Sequence, residues 1–236
     1  MTELVIIGNT NPIEFHLDVP IENPESRLTV GLKKIAFSYS IPNVDYRNNV
    51  FRYTIDGIEW LDIHIDQGAY QIESIILFIK NRVWAKTKIN PTQLYKIRAD
   101  SGSMRSKVII FKETFQIDFS CKNSVGSIFG FNSLLKYQNE KEHVSENIVM
   151  VTTVTSILVH CNLINGGVIN GIRSQILYEF SPDEEYGYLL DKEQAMPHYY
   201  NICEKRIDKI KVWFTDQNLQ ELNMNNEEVV LRLELQ

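Results

Sequence analysis

Hydrophobic and polar residues alternate with a period of two along most of the chain, which is the pattern of strands that bury one face. The clearest case is 229–235, where the odd positions are valine or leucine and where Arg232 and Glu234 stand between them. The same pattern predicts further strands over 13–19, 28–40, 51–55, 58–65, 94–99, 107–111, 115–119, 148–163, 173–180, 186–190 and 207–214. The chain is therefore predicted to be all-β.

One segment, about 69–85, has helical periodicity instead. Its apolar side chains recur at the i, i+3, i+4, i+7 spacing of a helix with one buried face, at Ile72, Ile75, Ile76, Ile79 and Val83. Asp66 and Gln67 precede this segment and are candidates to cap its first turn. Upstream, Asp56-Gly57 stands between two predicted strands and favours a tight hairpin. We expect one α-helix inserted among the strands.

The chain of 236 residues shows no internal repeat, low-complexity tract or flexible linker, and its seven prolines lie in loop-like contexts. We expect one domain over 1–236 with no separable linker, because all-β domains often reach this length as one unit. About eight strands in two packed sheets form a jelly roll. The predicted fold is a single jelly-roll β-sandwich with one inserted α-helix. An immunoglobulin-type sandwich is the alternative, but its Cys–Trp–Cys pattern is missing.

Charge and cysteine usage narrow the possible partners. The formal net charge is −6, whereas nucleic-acid binding requires a basic surface. Cys121, Cys161 and Cys203 form no close pair and fit reduced thiols. No stretch has the ~18 apolar residues of a membrane span, and the N-terminus lacks the basic region of a signal peptide. We expect a soluble protein that is not exported by the secretory route and does not bind nucleic acid directly.

The sequence contains none of the common catalytic motifs. It has no Gly-x-Ser-x-Gly elbow, no glycine-rich phosphate loop and no His-Glu-x-x-His helix, and its five histidines lack the spacing of metal ligands. His160-Cys161 could supply a base and a nucleophile, but neighbouring strand residues point to opposite faces. The sequence predicts no enzyme, no catalytic residue, no cofactor and no metal site. A cupin-like metalloenzyme is the alternative that clustered His and carboxylate ligands would favour.

Two further groups of residues have both a functional and a structural interpretation. Asp183, Glu184 and Glu185 could contribute to a Ca²⁺ site or form a solvated turn. Four tyrosines could form an aromatic platform near Trp213 that stacks on sugars or on a partner subunit. Alternatively, they could belong to the ordinary core and rim of a sandwich. They are Tyr186, Tyr188, Tyr199 and Tyr200. The sequence leaves both pairs of alternatives open.

Five segments, in order along the chain, carry a resemblance to a known family. They are GAYQIESI at 68–75, SIFGF at 127–131, SILVHCNLI at 156–164, ILYEF with GY at 176–180 and 187–188, and VWFTDQN at 212–218. Together they resemble the penton (minor capsid) proteins of Polinton/Maverick elements and related virophage-like viruses. The chain departs from the family's pattern at 221–228 and at Glu185-Tyr186, where the family has Pro-Pro. The contacts of those two loops are therefore left open.

The resemblance implies a structural role in a virus particle. It implies a jelly roll that assembles as a homopentamer, occupies the fivefold vertices of an icosahedral capsid and contacts a double-jelly-roll major capsid protein. The location would be the virion, after synthesis in the cytoplasm or nucleus of the host cell. A ring of identical chains needs two different patches that meet head to tail, and we expect them on sheet rims and on loops such as 165–173 and 182–188. The alternative function is a carbohydrate- or receptor-binding β-sandwich module.

Overall fold

The chain forms two compact units, each with its own hydrophobic core. The computed structural model describes residues 2–139, 141–151, 153–165, 167–169 and 171–236. One unit comprises Met1–Ile41 and Val154–Gln236, and the other comprises Pro42–Thr153. The second unit is thus an insertion between two segments of the first. The prediction of one domain over 1–236 stays a prediction, because compactness alone does not establish independent folding.

The described residues are predominantly β, with one long helix. In chain order the elements are β1 (Thr2–Gly8), β2 (Ile13–Glu22), β3 (Thr29–Ser38), β4 (Val50–Thr54), β5 (Trp60–His64), α1 (Ile72–Thr87), β6 (Tyr95–Asp100), β7 (Arg105–Ile110), β8 (Gln116–Asp118), α2 (Gly126–Phe129), β9 (Leu134–Lys136), β10 (His143–Val144), β11 (Ile157–Cys161), β12 (Gly167–Ile169), β13 (Ile172–Ser174), β14 (Ile176–Phe180), β15 (Leu189–Glu193), β16 (Tyr200–Asn201), β17 (Arg206–Asp216) and β18 (Val229–Leu235). A 3-10 turn covers Pro91–Gln93.

The first unit is an eight-stranded jelly roll. One sheet, sheet A, has the order β1-β18-β3-β15, with the two-residue β16 also paired to β3, and the other, sheet B, has the order β14-β11-β17-β2. All neighbours in both sheets are antiparallel. When these eight strands are counted along the chain, sheet A reads 1-8-3-6 and sheet B reads 5-4-7-2, which is the arrangement of a jelly roll. The predicted fold class is confirmed.

Sheets A and B bury their apolar positions in one shared core. The odd positions of β18 are buried and Arg232 is exposed, as the alternation predicts. In β17, Ile210, Val212 and Phe214 are fully buried, and each such side chain contributes roughly 1.5–3 kcal/mol of burial free energy. Strand β11 differs, because all five of its residues are buried. Its outward-facing side chains, including His160, are therefore covered as well as its core-facing ones.

The inserted unit contains the predicted helix. It combines a sheet of order β5-β4-β8-β9, a sheet of order β10-β7-β6 and helix α1. The apolar face of α1 is buried as predicted, and the helix ends at Thr87, followed by the cap residue Lys88, whose left-handed backbone directs its N–H to Trp84 O. The capping prediction is wrong, because the N-cap is Gln71 and its side chain makes no capping bond. Among the described residues no helix is long and apolar enough to cross a membrane.

Several strand boundaries differ from the prediction. Among the described residues of the predicted strand 148–163, only Ile157–Cys161 form a strand. Upstream of it, Val149 N donates to Met104 O at 2.7 Å and Met150 N donates to Ile128 O at 2.9 Å, so this stretch bonds to a turn and to helix α2 and not to one strand. The predicted strand 173–180 is divided into β13 and β14, and the strand predicted at 186–190 begins at Leu189.

The Asp56-Gly57 hairpin is confirmed. Strands β4 and β5 pair across it. The Asp56 carboxylate accepts hydrogen bonds from Ile58 N and Glu59 N, at 2.8 and 2.9 Å. Gly57 has a φ of 79°, in the left-handed region that glycine adopts without steric cost.

Candidate functional site

His160 and Cys161 point to opposite faces of sheet B, as the strand geometry predicts. Cys161 is fully buried in the core between the sheets, where burial raises the pKa of its thiol to about 12. The His160 ring lies on the outer face, with Nε2 2.8 Å from Thr215 Oγ1 and Nδ1 3.3 Å from Ser174 Oγ. The thiol is protonated and separated from the imidazole, so these residues do not form a nucleophile–base pair.

The His160 ring stacks on Trp213. The two residues are opposite each other in the register of β11 and β17, their ring centroids are 5.0 Å apart, and their planes are inclined by 8°. Burial lowers the pKa of His160 to about 4, because an imidazolium loses its hydration there. The imidazole is therefore neutral at physiological pH, and each nitrogen has a hydroxyl partner.

A groove lies over this pair on the outer face of sheet B. Its larger lobe has a volume of about 890 Å³ and is lined by His160, Arg173, Ser174, Gln175, Trp213 and Thr215 among other residues. A smaller lobe of about 430 Å³ shares four residues with it, Gln175, Trp213, Thr215 and Leu219, and adds Lys211 and Glu221 among others. The two lobes together are called the Trp213 groove. It could not be recognised from the sequence, because its walls come from separate segments of the chain.

The four tyrosines do not form a platform around Trp213, which was one of the two alternatives that the sequence left open. Tyr186 stacks on Tyr39 at 4.9 Å, and the Tyr199 hydroxyl bonds to the Glu234 carboxylate of β18. Tyr200 lies in β16, which pairs with β3 of sheet A, whereas Trp213 lies in β17 of sheet B. Tyr186, Tyr199 and Tyr200 therefore belong to the core and rim of the sandwich, which is the structural alternative, whereas Tyr188 is exposed.

The acidic cluster 183–185 lies in an exposed turn. Asp183 forms an ion pair with Lys192, which lowers the pKa of its carboxyl group, and Tyr188 N donates to Glu185 O at 3.1 Å. Within the part of the chain that the structure describes, no group of three or more His, Cys, Asp and Glu side chains could hold a metal ion. The solvated-turn interpretation is therefore the one that the geometry fits.

Both free edges of sheet A carry exposed apolar side chains. On β1, Val5 and Ile7 are 55% and 59% exposed; at the start of β15, Tyr188 and Leu189 are 61% and 59% exposed. Strands β1 and β15 are the ends of the sheet order, so their outer backbone groups are available for pairing. Sequence reasoning proposed the loop before β15 but missed β1.

The outer face between these edges is polar. Arg232 contacts Glu3 at 3.2 Å, and Lys34 contacts Asp191 at 2.7 Å. Sheet B has two free edges, β14 and β2. Strand β2 carries Asp18 and Pro20 and the exposed residue of β14 is Glu179, and charged residues and proline discourage edge-to-edge pairing. The two edges of sheet A are therefore the better candidates for contacts with other chains.

Comparisons with known proteins support the fold. No protein-family model and no curated protein match the sequence. Among solved structures, the chain is similar to the crystal structure of the selenomethionine-labelled mavirus penton protein, with a TM-score of 0.53 and 10% sequence identity. The similarity covers 100% of this chain and 98% of that chain. At this level of identity the similarity establishes a shared fold.

Proposed function

We propose that this chain is a minor capsid protein, a penton that assembles as a homopentamer and occupies the fivefold vertices of an icosahedral capsid. The observation that carries the proposal is the full-length structural similarity to a penton protein. The similarity extends over the jelly roll and the unit inserted in it. The sequence segments that resemble pentons of Polinton/Maverick elements support the same role independently of the structural comparison.

The two edges of sheet A supply the kind of interface that a ring requires. A cyclic assembly joins two different patches of the same chain head to tail. We assign one patch to β1, with Val5 and Ile7, and the other to β15 and the preceding loop 182–188, with Tyr188 and Leu189. Because these patches lie at opposite ends of one sheet, each chain can contact two neighbours at once. Burial of the exposed apolar side chains would favour association.

The proposal also names the neighbouring protein and the location of the ring. A double-jelly-roll major capsid protein would be its neighbour in the shell, and the virion would be its location. The net charge of −6 favours protein contacts over direct contacts with packaged nucleic acid. The role is structural and requires no catalytic group.

The proposal is tested by light scattering behind a sizing column at several protein concentrations. We expect a discrete species of five times the 27.5 kDa chain mass, because a closed ring has a fixed number of subunits. A chain that remains monomeric over the whole concentration range contradicts self-assembly into pentons. A broad distribution of masses contradicts ring closure.

A further inference from the structure

The Trp213 groove has the dimensions of a small-molecule site. Its larger lobe of about 890 Å³ is within the range of roughly 300–1,000 Å³ that is typical of ligand pockets. The smaller lobe continues it along Trp213. The groove lies on the outer face of sheet B, away from the edges of sheet A that form the proposed ring contacts. Ligand binding in the groove therefore does not involve the proposed ring contacts.

The indole ring in the groove is held in place. Trp213 stacks on the buried His160 ring at 5.0 Å, the Lys211 ammonium lies 5.9 Å from the centroid of the indole ring, and the remaining surface of the ring lines both lobes. His160 is itself fixed by hydroxyl groups on two different strands, Thr215 Oγ1 and Ser174 Oγ. A rigid aromatic surface binds the apolar C–H face of a sugar ring with little loss of conformational entropy.

Polar groups surround the indole ring. The hydroxyls of Ser174 and Thr215 line the larger lobe, as do the amide groups of Asn165 and Gln175. Gln175 donates through Nε2 to Asn162 O at 3.2 Å, which orients its amide. Hydroxyls and amides can each donate and accept hydrogen bonds, so they match the hydroxyl groups of a saccharide.

Arg173 gives the larger lobe a positive charge. It lies on β13, and it is the only charged side chain among the described residues that line this lobe. None of the ion pairs of the described residues includes Arg173. A guanidinium group without a protein partner can form a bidentate contact with a carboxylate or a sulfate.

We propose that the Trp213 groove binds an acidic saccharide, with the sugar ring against Trp213 and its carboxylate or sulfate on Arg173. The larger lobe offers one cation beside the indole ring, and the smaller lobe adds Lys211 and Glu221, whose charges are opposite. This arrangement favours a short glycan over a nucleic-acid strand, which requires a series of cationic contacts. The remaining hydroxyls of the sugar bond to Gln175 and to the neighbouring hydroxyl and amide groups. On a capsid vertex such a site would contact glycans of a host surface.

The test uses the full-length protein and three defined probes: sialyllactose, which carries a carboxylate, sulfated lactose, and neutral lactose. Saturation-transfer NMR detects each probe on the protein in any oligomeric state, and calorimetry measures its affinity. We expect sialyllactose, sulfated lactose or both to bind saturably, and the probe that binds identifies the source of the charge. Neutral lactose should bind about tenfold more weakly or not at all, because it lacks the charged partner of Arg173.

Arg173→Gln is the diagnostic variant and Arg27→Gln is its matched control. Both arginines are exposed, but Arg27 lies outside the groove and pairs with Glu25. We expect the affinity for the acidic probe to fall about tenfold or more in Arg173→Gln and to be unchanged in Arg27→Gln. An unchanged affinity in Arg173→Gln overturns the proposal.

Two further outcomes also overturn the proposal. One is the absence of saturable binding for both acidic probes. The other is binding of a short peptide with a free C-terminal carboxylate while both acidic sugars fail, since the groove would then recognise a protein terminus. Neither outcome bears on the proposed capsid role, because the subunit number of the assembly is measured separately.

Discussion

Asn11 binds both backbone polar groups of Phe214. Its Oδ1 accepts the Phe214 N–H at 2.9 Å, and its Nδ2 donates to Phe214 O at 2.9 Å and to Leu222 O at 2.7 Å. Asn11 lies between β1 and β2, and Phe214 lies in β17. A single side chain thus takes the place of a neighbouring strand at one end of sheet B and fixes the connection from sheet A to sheet B.

The Asn11 hydrogen bonds predict that truncating this side chain lowers the free energy of unfolding. Asn11→Ala removes three hydrogen bonds and leaves partly buried backbone groups without those partners. We expect the free energy of unfolding to fall by about 2–4 kcal/mol, measured by urea denaturation. Asn9→Ala is the control, because Asn9 is exposed, and its effect should be within about 0.5 kcal/mol. If the two substitutions lowered the free energy of unfolding equally, the stabilising role of the Asn11 hydrogen bonds would be contradicted.

His160 predicts a dependence of stability on pH. Its pKa is about 4 in the folded chain and about 6.5 in an unfolded one, so acid protonates the unfolded chain first. Above about pH 6.5 the titration of His160 does not change the free energy of unfolding. As the pH falls from about 6.5 to about 4, this free energy decreases by about 3 kcal/mol. Urea denaturation at a series of pH values measures this loss.

His160→Gln separates this contribution from the titration of other groups. We expect the variant to be less stable at neutral pH, because the stack on Trp213 is lost, and to lose less further stability between pH 6.5 and 4 than the native chain. His16→Gln, at an exposed position of β2, is the control and should keep the native pH dependence. An unchanged pH dependence in His160→Gln would show that His160 is already accessible to protons in the folded chain.

The assignment of the ring contacts predicts the behaviour of edge variants. Val5→Glu and Leu189→Glu each place a charge on an exposed apolar position at one edge of sheet A, and each should abolish the ring without unfolding the chain. Val19→Glu is the control, because Val19 is 78% exposed on β2, one of the two edge strands of sheet B. Sedimentation velocity measures the assembly state, and circular dichroism measures the fold.

Mixing the two edge variants provides a sharper test. A Val5→Glu chain retains its β15 patch, and a Leu189→Glu chain retains its β1 patch, so each mixed pair has one intact contact. We expect heterodimers in the mixture, and monomers in each variant alone if the ring is strictly head to tail. Full rings in either variant alone would place the interface elsewhere on the chain.

The inserted unit permits a test of the domain organisation. Its core is formed within 42–153, and the Asn43 side chain bonds to Tyr70 and to Val151 O, which ties the two ends of the segment together. We expect 42–153 expressed alone to fold cooperatively, as measured by thermal unfolding and dispersed NMR amide signals. An unfolded fragment would support the one-domain prediction for 1–236.

Regular alternation made part of this fold predictable. The odd positions of β18 point to the core without exception, so its bounds were predicted to the residue. Strand β1 was missed because Leu4, Val5, Ile6 and Ile7 are all apolar, which conceals the period of two. In 148–163 the apolar residues serve two different cores: Val149 and Val151 pack in the inserted unit, whereas Ile157 packs in the jelly roll.

The groove and the asparagine contacts could not be predicted from local pattern. His160 meets Trp213 only through the register of β11 and β17, and Arg173 reaches the same groove from the hairpin of β12 and β13. Likewise, Asn11 and Phe214 are separated by 203 residues. Such relationships depend on strand pairing between distant segments, which the alternation of side chains does not specify.

Native mass spectrometry of the purified full-length chain tests the central claim most directly, because it counts the subunits of each assembled species. The capsid-vertex account predicts a discrete pentamer, with five copies of the 27.5 kDa chain, that disappears in Leu189→Glu and persists in Val19→Glu. A closed species of three or six copies, or monomers alone at every concentration, would contradict the account.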